Sequence, residues 1–452
     1  LRVDTIAAIS TAPGRSAIAV VRASGPLITE IISRTLGPPL PERRPLLRWL
    51  SHPQAGEQVD RVLATYFPAP HSYTGEDVLE LSCHGGALAP QLVLDALLAA
   101  GARQAEPGEF TRRAFLNGKL DLLQAEAILD LVEGRSRAQH RAAVHQLERG
   151  LSRRIEELRE AVVRCEALLV YDIDFPDEDD GPVAGREIDA AAREVLNRIE
   201  RLLDTVTEGE LLREGALTVI AGRPNAGKSS LFNALCGVER AIVTDEPGTT
   251  RDAVEALVSL SGYPFRLVDT AGLAEAAGKL ERLGIEVARR YLAGADVVLF
   301  CVEAGRRPSG EELEFLTGLE SGAAVVVRTK SDLVGSDGRR SWPEIDAPQV
   351  FVSTVTGEGL SELGERLAAT AFSGSLDLEA ETPLVTRERH ARELRQARSE
   401  VEAFLEARSS ALPPEVAATH LRVAAQALEE LLGVIAPDDL LAQVFSEFCI
   451  GK

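Results

Sequence analysis

The sequence predicts a multidomain chain of α/β plus all-α class: an α/β domain of the P-loop kind interrupts a helical domain, behind an N-terminal α+β segment. Three observations lead there. The stretch Leu217–Leu235, LTVIAGRPNAGKSSLFNAL, passes from a β-branched run into a Gly-rich loop and then into helix formers. Apolar residues recur with period 3.6 over about 120–212 and again after about 380. The first 117 residues carry short β-like runs instead, broken by Pro and Gly. The expected boundaries are 1–118, 119–212, 213–376 and 377–452.

Length and charge bound the alternatives. A chain of 452 residues accommodates about two to four domains. Its net charge of −21 argues against wide, nonspecific binding to nucleic acid, though not against a local basic site. No run of 18 apolar residues and no charged-then-apolar N-terminal pattern occurs, so the expectation is a soluble, cytoplasmic protein with no membrane partner. The five cysteines are scattered, without the paired spacing of a zinc site; Cys165, Cys236 and Cys301 lie in apolar stretches and read as buried small hydrophobes.

Taken in order, the N-terminal segment shows strands around Ile18–Val21 and Val78–Leu81 and one helix near Gln91–Ala100. The first helical stretch aligns Leu147, Leu151, Ile155, Leu158 and Val162 on one face, and Ile188, Val195, Ile199, Leu202 and Val206 on another. Between them, DIDFPDEDDG (172–181) lacks EF-hand spacing and reads as a solvated turn. Helices return at Arg387–Arg408, Pro414–Gly433 and Asp438–Phe448. An insertion with both ends on one helical body can turn domain motion into a signal.

The inserted domain carries its motifs in a fixed order. Gly222–Ser229 reads G-x-x-x-x-G-K-S between a strand and a helix. Backbone N–H groups of such a loop cradle phosphate oxygens, with Lys228 for the β- and γ-phosphates and the Ser229 hydroxyl for magnesium. Gly248-Thr249-Thr250-Arg251-Asp252 has the look of a switch loop, in which Thr250 completes the magnesium shell. Strand Phe265–Val268 leads to Asp269-Thr270-Ala271-Gly272, a carboxylate for magnesium through water and an N–H for the γ-phosphate. Strand Ala323–Val327 leads to Thr329-Lys330-Ser331-Asp332. The Asp332 carboxylate can accept from guanine N1–H and the 2-amino group, which adenine cannot return. Ser353-Thr354, after strand Val350–Val352, finishes the base pocket. These motifs together point to GTP. Thr329 stands where Asn is usual; it still donates and accepts, with weaker ties between loops. Leu273 follows the Asp-x-x-Gly motif where Ras-like proteins have Gln, and an apolar side chain cannot orient water.

Several clusters are too specific for chance: APGRSAIAVVR (12–22), SYTGEDVLEL (72–81), HGG (84–86), EPGEFTRRAFLNGKLDLLQAEA (106–127) and the terminal FCIGK (448–452). With the nucleotide motifs, they resemble the bacterial tRNA-modification GTPase family called MnmE or TrmE, nearly end to end. The resemblance implies a folate-binding-like N-terminal domain holding 5,10-methylene- or 5-formyl-tetrahydrofolate through Arg22, Glu80, Lys119 and Lys452. From the residues alone, Arg22 and Glu80 also fit an ion pair at a strand end, and Lys119 a solvated turn.

For GTP the resemblance implies contacts by Asn225, Ala226, Gly227, Lys228, Ser229 and Ser230. It adds the loop Thr244, Asp245, Glu246, Pro247, Gly248, Thr249 and Thr250, then Asp269, Thr270, Ala271 and Gly272. The base is met by Thr329, Lys330, Asp332, Ser353 and Thr354. It implies potassium ligation by Asn225, Thr244, Glu246 and Thr249, standing in for an arginine finger, and magnesium ligation by Ser229 and Thr250. Glu281 in LERLG is the implied catalytic glutamate, activating water through a bridging water, beside Lys228 and Thr250, with Cys449 as the signature thiol. The blander alternatives are that Asn225 only steadies the loop, that Glu281 lies on an exposed helix, and that Cys449 is inert.

The activity so implied is GTP hydrolysis coupled to modification of carbon 5 of a wobble uridine in tRNA. A homodimer would work with an FAD-containing MnmG (GidA) family protein in a heterotetramer. Nucleotide motifs alone fit a regulatory switch of the ribosome-assembly type equally well, but that leaves residues 1–120 and the tail unexplained. A folate-dependent aminomethyl transferase acting elsewhere is the other alternative.

Overall fold

The computed structural model describes residues 4–174, 185–238, 255–269, 291–319, 324–335, 347–372, 383–410 and 412–452. The chain divides into two compact units, one of Leu1–Leu129 with Leu428–Lys452 and the other of Asp130–Ala427.

The first unit is built on a six-stranded sheet. Its strands are β1 (Ile6–Ile9), β2 (Ile18–Ser24), β3 (Leu46–Ser51), β4 (Gln58–Phe67), β5 (Val78–His84) and β6 (Arg103–Gln104), in the order β3-β4-β5-β2-β1-β6. Every pairing is antiparallel except that of β1 with β6. Alternate residues of β2 point inward, so Ala19, Val21 and Ala23 are buried. They meet Ile28, Ile31 and Ile32 of helix Ile28–Thr35 and Val93, Leu94 and Leu97 of helix Ala89–Ala99 in one apolar cluster. The expected helix near Gln91–Ala100 is therefore present as Ala89–Ala99, whereas helix Ile28–Thr35 was not foreseen.

A second cluster in this unit joins Leu122, Ala125 and Leu129 to Leu441, Phe445 and Phe448 of the chain's last helix, Asp438–Ser446, and the residues after it. Gly433 makes that approach possible, because a Cβ there would lie 2.8 Å from the Leu122 side chain and 2.9 Å from the Phe115 ring.

The second unit holds the other sheet and most of the helices. Strands β7 (Ala216–Ala221), β8 (Glu255–Leu260), β9 (Tyr263–Asp269), β10 (Val297–Glu303), β11 (Ala324–Thr329) and β12 (Gln349–Phe351) run in the order β12-β11-β10-β7-β9-β8. All pairings are parallel except β8 with β9. β7 and β11 are buried at every position, as expected for central parallel strands covered on both faces. The strands near 323–327 and 350–352 are displaced by one or two residues from the sequence expectation.

Three long helices, Gly150–Asp174, Gly185–Leu203 and Glu388–Ser409, pack side by side through their apolar stripes. Ile188, Val195 and Ile199 are essentially fully buried, each contributing about 1.5–3 kcal/mol of transfer free energy. Arg408 adds an ion pair to Asp189 at 2.6 Å. Leu147 departs from the expected face. It ends the preceding helix, Arg137–Leu147, and Arg149 at φ +68° breaks the helical path before Gly150. Val206 likewise begins a new helix, Val206–Glu214, and remains buried. Of the acidic loop, residues 175–181 lie outside the described residues.

The inserted sheet is seated on the helices at two joints. Val385 N–H donates to Thr205 Oγ1 at 3.1 Å, and Gly209 sits so close that a Cβ would lie 2.1 Å from the Val385 carbonyl oxygen. Entry and exit of the insertion thus lie on one another. At the second joint, the Gly262 carbonyl between β8 and β9 accepts from Ala138 N–H at 3.0 Å, within the first turn of a helix capped by Ser136. This contact connects the turn between β8 and β9 to a helix N-terminus.

Candidate functional sites for GTP and folate

The phosphate loop leaves β7 at the carboxyl edge of the sheet, where ligands bind in open α/β folds. Gly222 has φ +138°, and a Cβ there would lie 2.4 Å from the Cys301 carbonyl oxygen, so only glycine admits this approach to β10. Lys228 begins helix Lys228–Val238 with its ammonium donating to the carbonyls of Gly222 and Arg223, both at 2.9 Å. Ser229 Oγ donates to Asp269 Oδ2 at 2.7 Å, and Asp269, at the end of β9, is 4 % exposed. Two hard oxygen donors from separate motifs therefore meet at one point, as part of an oxygen donor set for a hard cation requires.

Two residues of the segment expected to read the base, Thr329 and Lys330, reach the same loop. Thr329 Oγ1 donates to the Ala226 carbonyl at 2.7 Å, so the hydroxyl in place of Asn makes the tie between loops. Lys330 Nζ donates to the Asn225 carbonyl at 3.0 Å, and Ser353 Oγ donates to Asp332 Oδ1 at 2.7 Å. Asp332 is exposed and Thr354 half-buried, so the Asp332 carboxylate stands at the surface, oriented by Ser353. Asn225 itself has φ +61°. Ser230 is exposed in the first turn of the helix, and Ala226 and Gly227 lie in the loop, the latter at φ +90°. Thr244, Asp245, Glu246, Pro247, Gly248, Thr249, Thr250, Thr270, Ala271, Gly272 and Glu281 lie outside the described residues.

Burial pushes the Cys301 thiol up to about 12 and that of Cys165 to about 11, the behaviour of buried apolar cysteines. Among the described residues no group of three or more His, Cys, Asp and Glu is placed to hold a metal ion, and no helix is long and apolar enough to cross a membrane.

In the first unit, Arg22 and Glu80 are direct cross-strand partners of β2 and β5. Arg22 Nε donates to Glu80 Oε1 at 2.9 Å. They pair within the strands rather than at an end. The guanidinium lies 5.1 Å from the centre of the Tyr73 ring and 5.7 Å from that of Phe110, a platform of the cation–π kind. Tyr73 also hydrogen-bonds Thr111 through its hydroxyl at 2.9 Å. Lys119 Nζ donates to the Pro70 carbonyl at 3.1 Å, on the same loop as Tyr73.

The tail closes on this region. Phe110 N–H donates to the Lys452 carbonyl at 3.2 Å, and Ile450 bridges Pro107. Gly451, at φ +96°, sits where a Cβ would lie 2.5 Å from the Ile9 carbonyl oxygen. Cys449 is an exposed free thiol on this tail. Arg22 and Glu80 thus meet Tyr73 and Phe110, Lys119 reaches the Tyr73 loop, and the tail carrying Cys449 and Lys452 reaches Gly108 and Phe110 through its backbone. Sequence reasoning missed those two aromatics. Their signal was their position inside SYTGEDVLEL and EPGEF, next to the residues that were chosen.

Two family profiles match the chain. One described as MnmE helical domain covers residues 122–449, and one described as GTP-binding protein TrmE N-terminus covers residues 5–119. A tRNA modification GTPase MnmE of Moorella thermoacetica is 42% identical over 461 residues, covering 99% of both chains. The chain belongs to the MnmE family. A second MnmE, of Geobacter metallireducens, is 40% identical over 455 residues, again with 99% of each chain covered. Among solved structures, the G domain of the T. maritima FeoB iron transporter is 30% identical and covers 34% of this chain and 97% of that one, at a TM-score of 0.25.

As an MnmE family member, the chain is a GTP hydrolase acting in tRNA modification. The loop, the Ser229–Asp269 pair and the Thr329–Asp332 segment are the parts of it suited to nucleotide. The folded-back tail joins the MnmE N-terminal and C-terminal segments in one unit.

Proposed function

We propose that this MnmE family chain is a potassium-dependent GTPase that, with an FAD-containing MnmG (GidA) family partner, modifies carbon 5 of the wobble uridine of tRNA. The modification is a carboxymethylaminomethyl or aminomethyl group. Its carbon comes from 5,10-methylene- or 5-formyl-tetrahydrofolate and its amine from glycine or ammonium. The observation that carries the folate part is the meeting of the tail with the Arg22–Glu80 pair across Phe110. A carboxylate facing the sheet surface suits the donor groups of a pterin, and Arg22, Lys119 and Lys452 supply cations for a glutamate tail.

At the nucleotide, Lys228 meets the β- and γ-phosphates, while Ser229 and Thr250 ligate magnesium and Asp269 holds it through water. Magnesium and potassium contribute positive charge where the transition state gathers negative charge. Asn225, with Thr244, Glu246 and Thr249, holds the monovalent ion. Glu281 orients the attacking water through a second water, since Leu273 cannot. Nucleotide domains of a homodimer meet across the bound GTP, and hydrolysis moves them against the helices through the Gly262–Ala138 and Thr205–Val385 joints. The homodimer and its MnmG partner form a heterotetramer in the cytoplasm.

The test is nucleoside mass spectrometry of total tRNA from source cells depleted of this chain. The carbon-5 aminomethyl modification disappears on depletion and returns with wild type, but not with Cys449→Ser. An untouched wobble uridine sinks the assignment. Removing the Arg22 guanidinium isolates the folate claim: Arg22→Ala weakens tetrahydrofolate binding at least about tenfold by calorimetry, the value of a lost charge-assisted pair. GTP turnover of the purified chain stays as in wild type. Unaltered folate affinity would remove Arg22 from the site.

A further inference from the structure

The Lys330 ammonium has two partners, the Asn225 carbonyl at 3.0 Å and Glu303 Oε1 at 2.5 Å. Glu303 ends β10, directly across from Thr329 in the register of β10 and β11. It belongs to none of the nucleotide motifs. Asn225 and Lys330 are both left-handed, at φ +61° and φ +56°; asparagine visits this region readily, whereas for lysine it costs about 1–2 kcal/mol. The Asn225 carbonyl accepts from Lys330, and the next carbonyl, that of Ala226, is held by Thr329. Two successive peptides of the phosphate loop are thus clamped by their oxygens. A lysine ammonium is a mobile point charge on a flexible stem, and Lys330 is half-exposed, so a fixed anion beside it restricts where the ammonium rests. Glu303 is that anion.

We propose that Glu303 is a positioning residue for the cation response of GTP hydrolysis: by fixing Lys330 on the Asn225 carbonyl, it sets the backbone that aims the Asn225 side chain. This rests on the reading of Asn225 as a potassium ligand. Glu303 belongs to none of the segments assigned to nucleotide or ion and acts through Lys330.

The experiment is steady-state GTP turnover of the full chain against potassium, with sodium holding ionic strength constant. It compares wild type, Glu303→Gln and Glu303→Asp, and fluorescent-GDP affinity is measured for each. Glu303→Gln raises the half-activating potassium concentration about threefold, the size expected for a half-exposed ion pair. Saturating turnover and GDP affinity stay as in wild type, and Glu303→Asp recovers most of the shift. If Glu303→Gln titrates like wild type while wild type prefers potassium, this proposal falls and the cation reading stands. If wild type turns over equally in sodium, the cation reading falls and takes the proposal with it. A loss of GDP affinity equal to the loss of cation response also overturns it, because the carboxylate would then only support the base loop.

Discussion

Asp269→Ala lowers GTP turnover by about 10²–10³-fold at saturating magnesium. The expectation follows from the hydrogen bond that joins the phosphate loop to the end of β9: Ser229 Oγ on Asp269 Oδ2 at 2.7 Å, with the carboxylate nearly inaccessible. A buried carboxylate held in place against the Ser229 hydroxyl is preorganised for a divalent cation. Losing one such preorganised group from a phosphoryl-transfer site costs about 3–4 kcal/mol of transition-state stabilisation. GDP binding measured without magnesium changes little, because Lys228, the loop amides and Asp332 are untouched. Ser229→Ala produces the same pattern. Turnover of Asp269→Ala within about threefold of wild type would remove this pair from the chemistry.

What could be read from the sequence depended on how local each signal was. β7, the loop and the following helix occupy one continuous stretch, so the β-branched run and the G-x-x-x-x-G-K-S spacing located them. The long helices were legible for the same reason. Leu147 was misplaced because a stripe of period 3.6 looks continuous across a break that Arg149 makes through backbone conformation alone. The N-terminal helix Glu109–Leu116 escaped notice because its buried face includes Glu109 and Arg113, residues that pattern reading assigns to solvent. Arg22 and Glu80 were singled out as a family match and as an ion pair. Their direct registry follows from a pairing of β2 with β5 across 58 residues, which no local signal encodes. Gly451 looked like one residue of a signature; its function in the fold, allowing the tail to approach Ile9, required the partner backbone to be seen.

A different meeting of distant segments produces the second large effect, in the first unit. Arg113, 7 % exposed at its side chain, donates to Asp4 Oδ1 at 2.8 Å, to Glu109 Oε1 at 3.0 Å and to Glu76 Oε2 at 3.1 Å. Arg103 joins Asp4 and Glu109 from the other side, at 2.7 and 2.5 Å. Burial raises the Asp4 and Glu109 carboxyls, but hydrogen bonds from Arg103 and Arg113 outweigh it and hold both below the usual carboxylate range. Carboxyls depressed on folding contribute stability that is fully present above their unfolded values, about 3.9 and 4.3. That stability is lost as pH falls through the lower folded values, so the wild-type unit resists mild acid. Arg113→Met removes the central cation and leaves three acidic side chains around an apolar one. Breaking a buried pair from one side costs about 3–5 kcal/mol, so hydrogen exchange of peptides from β1, β2 and Glu109–Leu116 accelerates by about 10²–10³-fold at neutral pH. Acid unfolding of the unit also moves to higher pH, because the carboxyls left behind take up protons sooner. Arg112→Met, which removes the same charge one residue away, separates the network from net charge and should leave both readouts near wild type. If the two variants behave alike, the network is not what holds the unit together.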